Sequence, residues 1–209
     1  MKIGILALQG AFIEHQKALH RVGVDVVQVR LPHHLEPIDG LVIPGGESTT
    51  IGRMARRWGL LEPMEALARS GRPLWGTCAG MILLAREVTD AVADQPRLAL
   101  MDITVRRNAF GRQIDSFEAD LDVQELGKAP FHGVFIRAPL IERVGPEVEV
   151  LAQLDDGTVV AAQQGNLLAT AFHPELTADD RFHRHFVELA LKAQAGAQEQ
   201  PSQSRRKPT

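Results

Sequence analysis

Four short apolar runs, Lys2 to Leu8, Val24 to Val29, Gly40 to Ile43 and Pro73 to Gly76, alternate with stretches of helical periodicity at the start of the chain. Runs that are apolar throughout, not on alternate residues only, are buried on both faces, and strands separated by helices pair in parallel. The chain must therefore begin as a parallel sheet covered by helices on both sides. Between the runs, Phe12, Ala18, Leu19 and Val22 can share one helix face, Thr50 to Arg57 and Leu60 to Ala68 flank Gly59, and Ser70-Gly71 is a stop signal. Met81 to Arg86 is a further helix-compatible run.

Past Ala85 the pattern becomes strand-rich. Leu100 to Arg106, Val134 to Ile136, Val148 to Leu154, Val159 to Gln163 and Leu167 to Phe172 read as strands, with turn signals at Asp155-Asp156-Gly157 and Gly165-Asn166. Leu176 to Lys192 is expected to close the fold as a helix with Phe182, Phe186, Leu189 and Ala190 packed inward. The fold class is α/β, one domain over residues 1–193 with a mixed, mostly parallel sheet. Residues 194–209 lack periodicity, end in a basic cluster, Arg205-Arg206-Lys207, and are expected to be a disordered tail.

Length and charge narrow the function classes. A chain of 209 residues can bury a full core without disulfide or metal staples. Lys plus Arg number 23 against 26 for Asp plus Glu, a net charge of −3, which supplies no field for nucleic acid or an anionic membrane. No apolar run approaches the roughly 20 residues of a membrane helix, and the opening Met1-Lys2-Ile3-Gly4-Ile5 is unlike a secretory signal. The expected location is cytoplasmic. The single cysteine, Cys78, has no disulfide partner within the chain.

Gly76-Thr77-Cys78-Ala79-Gly80 lies between a strand and a helical run, the context of a nucleophile elbow with Cys in place of Ser. Small residues on either side allow a sharp turn, and a helix N-terminus favours the thiolate. A lone cysteine is more often a small buried hydrophobe; the five-residue pattern in this context favours the nucleophile. Such a nucleophile needs a base and an orienting acceptor. Of the eight histidines, His173 is the best candidate, since His173-Pro174-Glu175 follows an apolar strand and would share the carboxyl edge of the sheet. In extended geometry Glu175 can accept from one imidazole nitrogen while the other faces Cys78. His33-His34 belongs to a loop, and His15, His20, His183 and His185 lie on expected helices, where packing or solvent is their default. No histidine pair has a third ligand nearby, so no metal site is expected.

Pro44-Gly45-Gly46-Glu47-Ser48-Thr49 is a third loop at a strand's carboxyl end. Its glycines could bring a backbone N–H to an oxyanion beside Cys78, with the Ala79 N–H as second donor. It lacks the GK[ST] ending of a phosphate loop, and by itself it could be a glycine turn with Ser48 or Thr49 capping the next helix.

Together these loops resemble the triad-type (class I) glutamine amidotransferases. Leu8-Gln9-Gly10-Ala11-Phe12, Pro44 to Thr50, Gly76 to Gly80, Arg107 to Gln113, Asp115 to Glu118, Gly133 to Pro139 and Phe172 to Thr177 further resemble the glutaminase subunits of pyridoxal 5′-phosphate synthases. The resemblance runs from the start to about Lys192; Thr89 to Arg97 and the tail are unmatched and carry no expected chemistry. It implies a flavodoxin-like, single-domain fold. It also implies Cys78 as nucleophile, His173 as general base and acid, Glu175 as the residue orienting the imidazole, and Gly46, Glu47, Ser48, Arg107, Ile136 and Arg137 as the L-glutamine site. No cofactor is implied. The implied partner is the synthase subunit, in a multi-subunit complex that takes up the ammonia for pyridoxal 5′-phosphate. A docking module with an inert Cys78, a Cys-elbow hydrolase and an amidotransferase of another pathway are the competing readings.

Overall fold

The computed structural model describes residues 1–107 and 116–198. Asn108 to Gln113 and Asp115, which belong to the motifs above, and residues 199–209 of the expected tail lie outside the described residues.

The first half alternates as expected: β1 (Lys2–Leu6), α1 (Phe12–Arg21), β2 (Asp25–Val29), β3 (Gly40–Ile43), α2 (Ser48–Arg57), α3 (Leu61–Arg69), β4 (Leu74–Thr77) and α4 (Ala79–Leu84). Strands follow: β5 (Ala85–Thr89), β6 (Met101–Arg106), β7 (Ser116–Leu121), β8 (Phe131–Ile136), β9 (Leu140–Val144), β10 (Glu149–Gln153), β11 (Val159–Gln164) and β12 (Leu167–Thr170), before the closing helix α5 (Arg181–Gln198). Among the described residues one sheet of ten strands runs β2-β1-β3-β4-β12-β11-β9-β6-β5, with β10 joined to β11, and β7 and β8 form a separate antiparallel pair. Pairing is parallel from β2 through β12 and between β5 and β6, and antiparallel in the β12-β11-β9-β6 stretch.

Alternation along β4 distributes the helices. Trp75 points to the face where α1 and α5 lie, with its ring edge-on to His15 and packed near Phe182 and Phe186. Gly76, its neighbour, points to the other face, where a Cβ would come within 2.4 Å of the Gly80 backbone in α4. Phe131, Phe172 and Phe182 continue the aromatic packing with ring centroids 4.8–5.7 Å apart, each such pair contributing about 0.5–1.5 kcal/mol beyond area burial.

Four segments depart from expectation. The expected helical run through Arg86 stops at Leu84, and β5 continues as a strand because Arg86 pairs with Asp102 and Glu87 with Thr104 across its junction with β6. β7 carries Glu118 and Asp120 on alternate positions and β9 carries Glu142 and Arg143 side by side, so neither gives an apolar run. The closing helix starts at Arg181, not Leu176. Pro174 to Leu176 is a short 3-10 turn, and Asp179 accepts from the Arg181 backbone N–H at 3.1 Å, marking the true start. Its end at Gln198 lies past residue 193, since the Ala and Gln residues there are good helix formers.

The carboxyl ends of β1, β3, β4 and β12, neighbours in a parallel block, deliver Gln9, the Gly45-Gly46 loop, Cys78 and His173 to one edge of the sheet. This is where ligands bind to open parallel sheets.

Candidate active site

Cys78 occupies the turn between β4 and α4 with φ 48° and ψ −104°. A non-glycine residue held at positive φ costs roughly 1–3 kcal/mol and persists only where its surroundings enforce it. They do so through close backbone contact. The Cys78 N–H donates to Thr170 O at 2.8 Å, and a Cβ on Gly80 would fall 1.9 Å from Ile43 O. Strand, elbow and helix can approach this closely only with glycines at 76 and 80.

His173 sits directly across, its backbone N–H donating to Val134 O of β8 at 2.8 Å. Its imidazole lies beside Cys78, both of them against Gly45, and its Nδ1–H donates to Glu175 Oε1 at 2.7 Å. Burial works to lower the His173 pKa, but interaction with the Cys78 sulfur and with the Glu175 carboxylate that accepts its Nδ1–H outweighs burial and holds it at about 10. His173 thus carries a proton between sulfur and carboxylate. Glu175 is buried beneath, its pKa held down by the neighbouring histidines against the opposing effect of burial. The third wall is Gly45: a Cβ there would lie 2.4 Å from His173 Cε1 and 3.4 Å from Cys78 Cβ.

A cleft of about 410 Å³ opens over these groups. The structure brings Gly46, Glu47, Ser48, Cys78, Ala79, Arg107, Ile136, Arg137 and His173 to its lining, with Glu175 behind it. Glu47, not Ser48 or Thr49, caps α2: its carboxylate accepts from the Thr49 and Thr50 N–H groups at 2.9 and 2.7 Å and from Thr50 Oγ1 at 2.7 Å. Desolvation would raise its pKa; these hydrogen bonds prevail and hold it at about 2. Arg107 reaches Glu47 Oε1 at 3.4 Å. Arg137, at the end of β8, has φ 43° and faces the same cleft.

Gln95 belongs to a segment from which the sequence promised no chemistry. Its amide donates to Ser48 Oγ at 3.0 Å and accepts from Arg107 Nη1 at 3.0 Å, tying two cleft residues together. A lone Gln in a loop leaves no sequence signal. His15 and His183, assigned to packing on their helices, are both fully buried, and His15 lies against Glu175. The Gly45-Gly46 peptide is anchored by the Gly45 carbonyl, which accepts from the Ala11 N–H at 3.1 Å. The Gly46 N–H, on the opposite edge of that planar unit, therefore points away from Ala11. Gln9 Oε1 accepts from the Glu47 N–H at 2.8 Å beside it. Among the described residues no cluster of three His, Cys, Asp or Glu side chains could hold a metal ion, and no helix is long and apolar enough to cross a membrane.

A cysteine beside a histidine that is itself oriented by a carboxylate is the equipment of acyl transfer through a thioester. The sequence profile of the SNO glutamine amidotransferase family matches residues 5–192. The pyridoxal 5′-phosphate synthase subunit PdxT of Herpetosiphon aurantiacus is 63% identical over 190 residues, covering 90% of this chain and 100% of the relative. That of Pelotomaculum thermopropionicum is 60% identical over 193 residues, covering 92% and 97%. A crystal structure of a glutamine amidotransferase superimposes with a TM-score of 0.85 at 51% identity, covering 90% of this chain and 98% of that one. PurLQS of Thermotoga maritima, at 15% identity and TM-score 0.61 over 94% of this chain and 98% of its own, shares the fold.

Proposed function

The chain belongs to the SNO glutamine amidotransferase family, and from that premise we propose how its residues carry out the glutaminase half of pyridoxal 5′-phosphate synthesis. The activity is hydrolysis of L-glutamine to L-glutamate, with the ammonia delivered to the synthase subunit. The observation that carries the assignment of residues is the Cys78, His173, Glu175 line in the cleft, with a 2.7 Å bond between the last two.

The Cys78 thiolate attacks the side-chain carboxamide carbon of glutamine, forming a C–S bond and placing negative charge on the carboxamide oxygen. The Ala79 N–H, at the start of α4, and the Gly46 N–H are the oxyanion donors. His173 gives its proton to the departing nitrogen as the C–N bond breaks, leaving a γ-glutamyl thioester and ammonia. The same imidazole then takes a proton from water as it attacks the thioester, and the C–S bond breaks to release glutamate and restore the thiolate. Glu175 keeps the ring in register throughout. Glu47, Ser48, Arg107, Ile136 and Arg137 bind the amino-acid end of glutamine, whose carboxylate and ammonium groups ask for a cation and for acceptors.

Docking of the synthase in a multi-subunit complex completes the oxyanion hole. The support is the Gly45 carbonyl on Ala11, which a turn of the peptide between two glycines would release at low cost, with Gln9 beside it as the relay. Enclosed transfer also suits ammonia, which water near neutral pH protonates. The test is glutamate release by the chain alone, with the synthase subunit, and by Cys78→Ala in both settings. Activity that rises strongly with the synthase and falls at least about a thousandfold in the variant is expected. Activity equal with and without the synthase would overturn the docking step, and activity surviving in Cys78→Ala would overturn the triad.

A further inference from the structure

Behind the triad lies a second, buried line of imidazoles that the reaction as described does not use. Glu175 Oε1 is occupied by His173, while Oε2 is fully buried and has no well-aligned hydrogen bond. His15 Nε2 lies 3.3 Å from it. That same nitrogen is 3.1 Å from Thr77 Oγ1. On its other side His15 Nδ1 is 3.0 Å from His183 Nε2, and His183 Nδ1 is buried without a partner. The Trp75 ring lies edge-on to both imidazoles, with centroids 5.5 and 5.0 Å away, so neither can swing. Thus α1, β4 and α5 each contribute a member to a network that ends on the catalytic carboxylate.

We propose that His15, held by His183, is a positioning residue for the triad: it presents an Nε2–H toward the outer oxygen of Glu175 and so fixes the carboxylate with its inner oxygen on His173. The proton arrangement follows from counting donors. Burial disfavours the charged form of both imidazoles, so each carries one N–H. With the proton on His15 Nε2, Thr77 Oγ1 and Glu175 Oε2 both face a donor. His15 Nδ1 is then bare and accepts from His183 Nε2–H, which leaves His183 Nδ1 bare as well, in keeping with its empty surroundings. The opposite arrangement would bury an unpaired His183 N–H and set a bare His15 nitrogen against a carboxylate oxygen, two costly arrangements at once. The charged and titratable groups facing this pair are Glu175 and His173 from the segment after β12, Glu14 on α1 itself and Arg21 near its end. None of them can take over as donor to Glu175 Oε2 from the far side.

This proposal rests on the triad reading above, and its test is chosen to stand apart from it. In the wild-type chain, ring ¹⁵N shifts should show His15 and His183 both as Nε2–H tautomers; an Nδ1–H tautomer at either would overturn the proposal whatever the activity. In the complex with the synthase subunit, His15→Leu should lower kcat by about tenfold or more with the KM for glutamine within about twofold. It should also move the acidic limb of kcat/KM to higher pH by about one pH unit, because the Glu175 carboxylate loses a donor. His15→Gln, whose amide can place an N–H near the lost one, should recover both. A Gln variant as impaired as the Leu variant, or a Leu variant with wild-type kcat and pH profile, would overturn the proposal. Should His15→Leu fail to fold, the Gln variant and the tautomers decide. A wild-type complex without glutaminase activity would overturn the triad reading, and the tautomers alone would then decide this one.

Discussion

Cys78 and His173 are a strained elbow and a caged imidazole, and each has a consequence at its own position. The raised His173 pKa means that the folded chain binds its proton more tightly than the unfolded chain does. That contribution to stability is full below the ordinary histidine value of 6.5 and is lost as pH rises through about 10. The stability advantage of the wild type over His173→Asn, read by urea unfolding, should therefore shrink across that window; an advantage independent of pH would contradict the assignment. Gln95 is the second residue with a local consequence. Because it links Ser48 to Arg107 without touching the triad, Gln95→Ala should raise the KM for glutamine by about tenfold with kcat nearly unchanged. An equal loss in kcat would place Gln95 in the chemistry instead.

At the scale of elements, α2 depends on a residue that also faces the substrate cleft. Glu47 accepts three hydrogen bonds at the start of that helix, so Glu47→Gln should cost about 1 kcal/mol at neutral pH. A depressed carboxylate contributes above its unfolded pKa of about 4.5 and loses that contribution as pH falls through about 2, so variant and wild type should converge in stability toward pH 2, measured by thermal unfolding. Which elements were legible follows from the same physics. β1, β3, β4 and the helices between them are buried on one or both faces, and their apolar runs or stripes announce them. β5, β7 and β9 carry exposed charged residues, among them Arg86, Glu118 and Glu142, so no apolar run marks them. The start of α5 is set by Asp179 through a hydrogen bond that no periodicity reports. In the site, the Cys78 elbow and the His173-Pro174-Glu175 segment were readable because local geometry fixes their chemistry. Arg107 and Arg137 could be named only by resemblance, and His15 and Gln95 act through tertiary contacts alone.

For the whole molecule the decisive arrangement is the block β1-β3-β4-β12, whose carboxyl ends bring together Gln9, Gly45, Cys78 and His173. The cleft edge is thus held by the best-buried part of the sheet, while Ile136 and Leu176 line it and stay well exposed at 38% and 46%. If Gln9 relays docking, Gln9→Ala should leave basal glutamate release within about twofold and reduce the stimulation by the synthase subunit by about tenfold or more. Unchanged stimulation would remove Gln9 from that path. β12 is the last strand of the sheet in sequence, yet it is inserted between β4 and β11, and it carries His173 at its end. On the triad proposed above, a chain still being synthesised has its sulfur in place long before it has a base to work with, so glutamine is safe from a copy in which β12 has not yet been made.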